Sequence, residues 1–420
     1  MKVFKFGGAS VKDAEGVRNL AAVLKHAALD DLVIVVSAMG KTTNALEEIA
    51  WAFADGRNAG EKVDALEVAH RKVLAEVARG DAEAGNALRA HFDALRALLK
   101  QAPAGVDRDY DQLVPQGEIW STLIVSAHLR HAGITNTWFD AREVVRTDDR
   151  FRAARVDWVT SQQLADRILT PRLSQPPVRL VTQGFIGRTT DRLTTTLGRE
   201  GSDFSAAIFA YLLDAESVTI WKDVPGMFNA DPNRFPDTRL LEHISYKEAI
   251  ELSYFGASVI HPRTLQPLQL KNIPLYVRSF VDLGAPGSTI SEATDHDTLI
   301  PSFIVKPGQL LISITPRDLS FIVEDNLSAI FKLFAGRNVR IDLMQNSAVA
   351  FSTVVDDSPR ARQLLTDLGR DYEIRYNDGC ELLTVRHYDE ATLERLTGGR
   401  EVLLEQRSRV TARFVLKERS

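Results

Sequence analysis

Cysteine is nearly missing from this 420-residue chain. The single thiol, Cys380, excludes an internal disulfide framework and suits a reducing compartment. No apolar run approaches the length of a membrane span. Basic residues are not in excess either: the net charge of −5 lacks the electrostatic footprint of a nucleic-acid binder. The chain opens directly into Lys2-Val3-Phe4-Lys5, without an apolar leader or a cleavage site. A cytoplasmic protein with neither membrane nor nucleic acid as partner is therefore expected. What the sequence does contain is ordinary for a globular protein, 45% hydrophobic and 25% charged residues. Its length implies two or three domains, each able to bury a core.

Strand-like and helix-like stretches alternate along the first two-thirds. Val3–Phe6 and Leu32–Val36 read as buried strands, with Val17, Leu20, Ala21 and Leu24 at helical spacing between them. Residues 45–99 carry no strand signal and suit two or three helices, split near 54–60 and 80–85. Further strands are expected at Thr137–Phe139, Val178–Thr182, Ser217–Trp221 and Pro274–Phe280, with helices at Phe204–Leu213 and Tyr246–Phe255. Such alternation predicts an α/β fold with a mostly parallel sheet covered by helices, and ligands at the carboxyl ends of its strands. A polar, acidic stretch ending at Pro301 reads as a linker. Shorter units follow, including strands at Leu310–Thr315, Val339–Met344 and Glu381–Arg386, and suggest two small α+β modules in tandem.

Four segments carry chemistry. Thr194 to Ala207 places glycines around Arg199-Glu200, then Ser202-Asp203 at the start of an apolar helix. Free N–H groups at a helix N-terminus attract anions, and an arginine fork beside them suits carboxylate or phosphate. A plain capped helix is the competing reading. Lys5-Phe6-Gly7-Gly8-Ala9-Ser10 is a strand, a glycine turn and a helix start, able to cradle phosphate with Lys5 reaching the charge. Ser37 to Asn44 gathers small hydroxyls after a buried strand. Its Gly40-Lys41-Thr42 is not a P-loop, because Val35 stands where the first glycine is required. Trp221 to Arg234, with Pro225-Gly226 and Asp231-Pro232, is a rigid loop in which Phe228 suits a flat base and Asp223 a ribose or exocyclic amine. Glu118 suits a substrate ammonium, and equally a helix dipole.

Together these segments resemble the aspartate kinase family, within the wider amino-acid kinase fold, in order and spacing over essentially the whole chain. The resemblance also rests on Phe139-Asp140-Ala141-Arg142, Arg146-Thr147, Phe255-Gly256-Ala257 and Val259-Ile260-His261-Pro262. It implies a three-layer αβα kinase domain at 1–290, a linker at 291–304, and ACT-like regulatory modules at 305–378 and, shorter, 379–420. The implied reaction is transfer of the γ-phosphoryl group of MgATP to the β-carboxylate of L-aspartate, the first step toward lysine, threonine and methionine. By the resemblance, Lys5, Arg199 and Asp203 are the catalytic candidates. Ser37, Thr43, Glu118 and Arg199 hold the substrate. Lys5, Gly7, Gly8, Ser10, Gly201, Ser202, Lys222, Asp223, Phe228, Asp231, Asn233, Arg234 and Ser258 attend the nucleotide. No residue set is nominated as a protein-only metal site; the magnesium comes with ATP.

Some positions depart from the family pattern. Glu200 replaces a glycine of the usual Arg-Gly-Gly-Ser-Asp, Ser258 a basic residue, Phe228 a tyrosine and Asn233 an arginine. Ile341 to Ser347 matches the effector-lining strand of ACT modules, which makes Asp342, Asn346 and Ser347 candidate contacts for lysine or threonine. An ordinary packed strand is the alternative. Such modules pair between subunits, so a homodimer is implied. Two other readings stay open: a kinase of the same fold acting on another small acid, and a non-catalytic effector-binding paralogue.

Overall fold

The computed structural model describes every residue except 175–177, 258, 319 and 418–420. The chain divides into two units. The first comprises Met1–Met227, Leu240–Ile250 and Val259–Thr294, and the second Phe228–Arg239, Glu251–Ser258 and Asp295–Ser420. The ATP-site candidate Ser258 lies outside the described residues.

In the first unit, β1 (Lys2–Phe6), α1 (Ala14–Ala27) and β2 (Leu32–Val36) are followed by four helices, α2 (Thr42–Ala54), α3 (Gly60–Val77), α4 (Ala82–Leu98) and α5 (Val106–Leu113). Then come α6 (Gln116–His131), β3 (Thr137–Phe139), α7 (Trp158–Leu173), β4 (Arg179–Gln183), and a small hairpin, β5 (Ile186–Arg188) with β6 (Thr194–Thr196). The remainder is α8 (Gly201–Leu212), β7 (Ser217–Lys222), β8 (His243–Ser245), α9 (Tyr246–Phe255), α10 (Pro262–Leu270), β9 (Leu275–Ser279) and β10 (Ser288–Ser291). Eight of these strands form one sheet in the order β3-β4-β2-β1-β7-β9-β10-β8, parallel except for the β9–β10 pair. All five residues of β2 are buried, as an interior parallel strand requires. Phe6, Leu20, Ile34 and Trp120 belong to its core cluster.

The second unit holds β11 (Ser302–Pro316), α11 (Glu324–Gly336), β12 (Leu343–Asn346), β13 (Phe351–Asp356), α12 (Pro359–Leu368), β14 (Tyr372–Arg386), α13 (Glu390–Thr397), β15 (Val402–Arg407) and β16 (Thr411–Lys417). Its six strands form an antiparallel sheet, β12-β13-β11-β14-β16-β15. The segment before it also belongs to this unit: Ala230 and Phe235 pack with Phe303, Val385 and Phe414.

Several expected boundaries move. The linker expected at 291–304 overlaps β10 at one end and β11 at the other. The boundary expected between 378 and 379 falls inside β14, and the strand expected from Val339 begins at Leu343. Pro307-Gly308 and Asp378-Gly379 look like chain breaks in sequence. In the structure they are carried within two fifteen-residue strands, whose pairing shifts register around Gln309. A local bulge absorbs residues that would otherwise end a strand.

Candidate active site

The carboxyl ends of β1, β2 and β4 deliver the glycine turn at Gly7-Gly8, the Ser37-Ala38 loop and the Gly184-Phe185 turn. Helix α8 presents its first turn beside them. Between these segments lies a cavity of about 450 Å³. Close backbone approach explains two of its glycines. A Cβ at Gly8 would stand 2.8 Å from the Ala38 carbonyl oxygen, and one at Gly201 would stand 2.6 Å from the Phe185 ring.

At the base of the cavity Lys5 Nζ lies 2.5 Å from Asp203 Oδ1, and Lys222 Nζ lies 3.6 Å from Oδ2. The Asp203 side chain is fully buried. Burial alone would raise its carboxyl pKa; the positive charges of Lys5 and then Lys222 outweigh that and hold it below the usual value. Asp203 is thus a fixed anion that positions two ammonium groups. Gly201, Ser202 and Asp203 form the N-terminal turn of a twelve-residue helix, so the positive end of its dipole faces the same cavity, although the Gly201 N–H itself donates to the Gly198 carbonyl at 3.0 Å.

Across the cavity Glu118, on the first turn of α6, has one carboxylate oxygen 3.3 Å from the donating Ala38 N–H. Its other oxygen is buried with no hydrogen-bond partner. Burial pushes this carboxyl up to about 8, against the smaller opposite pull of the Glu118 and Ala38 N–H groups. A buried carboxyl of this kind is matched by an arriving cation, which restores its ionised form. Arg199, Ser37 and Thr43 also line the cavity.

The remaining candidates divide by position. Lys5, Gly8, Ser37, Thr43, Glu118, Arg199, Gly201, Ser202 and Asp203 share the cavity, and Lys222 reaches it through Asp203. Gly7 follows Lys5, while the Ser10 hydroxyl is buried and donates to the Trp221 carbonyl at 3.4 Å. Asp223 is exposed just beyond β7. Phe228, Asp231, Asn233 and Arg234 belong to the second unit, where Asp231 accepts from the Asn233 backbone and side chain, and Arg234 lies 3.0 Å from Glu381. In that unit Asp342 precedes β12 rather than lying on it, with Lys306 Nζ 2.5 Å from its carboxylate. Asn346 ends β12 and is exposed, while the Ser347 hydroxyl donates to the Ala350 carbonyl at 3.1 Å.

Glu200 is exposed at the cavity and occupies the left-handed region at φ 54°, ψ 26°. Lys222 is committed to Asp203 and to the Val259 carbonyl, so it is not the partner this extra negative charge would need if turned inward.

Sequence reasoning missed a polar apparatus at the other wall, built by Glu47, Tyr110, Asp111 and Arg152. Tyr110 donates to Glu47 at 2.6 Å, and the Arg152 guanidinium lies 4.5 Å from the Tyr110 ring centre. Asp111, fully buried, accepts from the Arg152 N–H at 3.1 and 3.0 Å and from the Thr196 N–H and hydroxyl, each at 2.8 Å. Burial lifts its carboxyl to about 6 despite those donors. The sign in sequence was three acidic residues within one short helix, Asp107, Asp109 and Asp111, where a solvated face needs none of them buried.

A glycine turn at a strand end, a helix N-terminus and a buried lysine–aspartate pair set the site, and a model of the amino acid kinase family matches residues 1–279: the chain belongs to that family. Lysine-sensitive aspartokinase 3 of Escherichia coli strain K12 is 33% identical over 401 residues, covering 91% of this chain and 86% of that one. The solved structure of E. coli aspartokinase III with lysine and aspartate matches with a TM-score of 0.83 at 29% identity, over 99% of this chain and 96% of that one. Its counterpart with aspartate and ADP matches with a TM-score of 0.81 at 28% identity and the same coverage. Within the family, the chain is an aspartate kinase.

Proposed function

We propose that the first unit transfers the γ-phosphoryl group of MgATP to the β-carboxylate of L-aspartate, giving 4-phospho-L-aspartate, and that the second unit senses an amino acid. The observation that carries the catalytic reading is the Lys5–Asp203 pair at the strand ends, beside the N-terminus of α8 and opposite the buried Glu118. An aspartate carboxylate has an unperturbed pKa near ~4, so the nucleophile is ionised at neutral pH and needs no general base. A carboxylate oxygen forms the new bond to the γ-phosphorus as the bond to the β,γ-bridging oxygen breaks, and the electron pair leaves on ADP. The obstacle is charge. Two like unit charges about 4 Å apart repel by roughly 4 kcal/mol at an effective dielectric of 20, and ATP carries several. Lys5, the Gly8 N–H and the first turn of α8 offset that repulsion on the phosphate side. Arg199 and Glu118 fix the amino acid by its carboxylate and ammonium, with Ser37 and Thr43 as hydroxyl donors. Lys222 is placed to support the transferring phosphate through Asp203.

Among the described residues no group of three or more His, Cys, Asp or Glu side chains could hold a metal. Magnesium would come with the nucleotide and needs only one or two carboxylates from the protein; Asp203 is the one at hand. Magnesium would supply charge neutralisation on the phosphates. The proposal extends to the two ACT-like modules as the site for lysine or threonine near Asp342, to homodimer formation through them, and to a cytoplasmic setting suited to a lone buried thiol. Asp223, Phe228, Asp231, Asn233 and Arg234 are proposed nucleotide contacts by the family resemblance.

Trapping acyl phosphate with hydroxylamine tests the reading. Hydroxamate is expected with MgATP and L-aspartate. Hydroxamate with L-glutamate alone would replace the substrate, and none with either acid would point to an effector-binding paralogue.

A further inference from the structure

Arg263 is placed against local preference. It is the second residue of α10, so its cation stands at the positive end of that helix, where a carboxylate is the favoured charge. It is half-buried, and among the described residues no carboxylate pairs with it; burial, with no charge to oppose it, lowers its pKa from the usual arginine value. What the side chain touches is neutral backbone and a ring. Nη1 donates to the Leu197 carbonyl at 2.8 Å and Nη2 to the Ala154 carbonyl at 3.5 Å. The guanidinium carbon lies 4.8 Å from the centre of the Phe204 ring, in the first turn of α8. These contacts surround the turn at 197–200 that carries Arg199. Leu197 opens the turn, and its N–H donates to the Phe185 carbonyl at 2.9 Å. Gly198 and Glu200, on either side of Arg199, are both left-handed, at φ 78° and 54°. Packing at Gly198 is close: a Cβ there would stand 3.2 Å from the Arg152 carbonyl oxygen and 3.5 Å from Arg263 Nη1. One residue earlier the Thr196 carbonyl accepts from the Ala154 N–H at 3.0 Å, so the two backbone segments that Arg263 joins are already neighbours. A left-handed non-glycine residue persists only where its surroundings over-determine it, and Arg263 supplies part of that hold.

We propose that Arg263 is a positioning residue for the amino-acid subsite: it fastens the 197–200 turn to the start of α8 and so fixes where the Arg199 guanidinium meets the substrate's carboxylate. This rests on the aspartate kinase reading. A guanidinium suits the task because its planar fork reaches two carbonyls while its face lies on a ring, an arrangement a lysine ammonium cannot reproduce. Arg263 touches no substrate itself; its effect passes through Arg199.

The test uses R263M and R263K in the full chain, with R263M also combined with R199A. Methionine keeps an apolar stem over Phe204 and loses both hydrogen bonds, so R263M should melt within a few degrees of the parent protein. Losing the charged donors that place a substrate-binding group predicts kcat/KM for aspartate about tenfold to a hundredfold lower in R263M, carried mainly by KM, with KM for ATP within about twofold. R263K should fall between, because it keeps the charge and a donor but loses the fork. In the R199A background R263M should lower the same constant by less than about twofold, because the group being positioned is gone. Should R263M fail to fold, the same cycle run with R263K decides. An unchanged kcat/KM in R263M, an equal rise in both KM values, or the full loss repeated in R199A overturns the proposal while the kinase reading stands. Absence of both acyl phosphate and calorimetric aspartate binding in the parent protein removes the kinase reading and this proposal together.

Discussion

The Glu118 carboxyl should make aspartate binding depend on pH in the direction opposite to that of an ordinary glutamate. Its pKa is pushed up to about 8, because burial disfavours the charge and one oxygen lacks a hydrogen-bond partner. At pH 7 only about one molecule in ten is then ionised, and at pH 8 about half. If the ammonium of aspartate requires the ionised form, apparent affinity scales with that fraction. KM for aspartate should therefore fall about fivefold between pH 7 and 8, and binding should release about 0.9 proton at pH 7 but only about 0.5 at pH 8. Calorimetry in buffers of different ionisation enthalpy counts those protons, and the E118Q variant should lose both the slope and the release. Stability follows the same linkage. The folded protein holds a proton on Glu118 that the unfolded chain gives up near its ordinary value of 4.5. Stability from this group is therefore full below that value and declines as pH rises toward 8, a decline absent from E118Q. A KM that is flat across pH 7 to 8, or an unchanged slope in E118Q, would refute the reasoning.

Other expectations follow from single contacts. Lys5→Met leaves Asp203 with only Lys222 at 3.6 Å. It should lower kcat by about 10²- to 10³-fold, in steady-state hydroxamate assays on a sample whose folding is checked by circular dichroism. Full turnover would remove Lys5 from the mechanism. Glu200→Gly relieves the left-handed backbone at φ 54°. After the entropy that glycine adds to the unfolded chain, the net gain should be up to about 1 kcal/mol, seen as a Tm higher by a few degrees. A lower Tm would mean that Glu200 makes a stabilising contact. Lys306→Gln frees the Asp342 carboxylate from its internal ammonium partner, so the lysine concentration giving half-inhibition should fall several-fold in a titration of activity. An unchanged or higher value would place the effector elsewhere.

Much of the kinase unit is written in its sequence because its signals are local. The five-residue apolar run of β2 and the helical spacing of α1 locate their elements within a residue or two. The glycine turns announce where strands end at the cavity. The helix break near 54–60 is the gap between α2 and α3, whereas the one expected near 80–85 falls at 78–81, with Gly85 inside α4. What could not be read depends on distant partners. Asp111 acts by joining Thr196 and Arg152, neighbours only after folding. Thr194–Thr196 looks like loop chemistry and becomes β6 because Ile186–Arg188 pairs with it. In the second unit, local turn signals at Pro307-Gly308 and Asp378-Gly379 lose to twelve paired positions between β11 and β14, which outweigh a bulge.

The second unit takes Phe228–Arg239 and Glu251–Ser258 as well as everything from Asp295 onward, so the polypeptide crosses between the units at five points. Regulation in this chain is therefore sewn through the catalytic sequence rather than hung from its end. A gene cut after Thr294 would not yield a desensitised kinase. It would leave Ala230 and Phe235 stripped of Phe303 and Phe414, apolar side chains with nothing to cover them. Recombining regulatory specificity between relatives would need three inserts exchanged in register, and a swap at a single junction would join mismatched halves of one hydrophobic core.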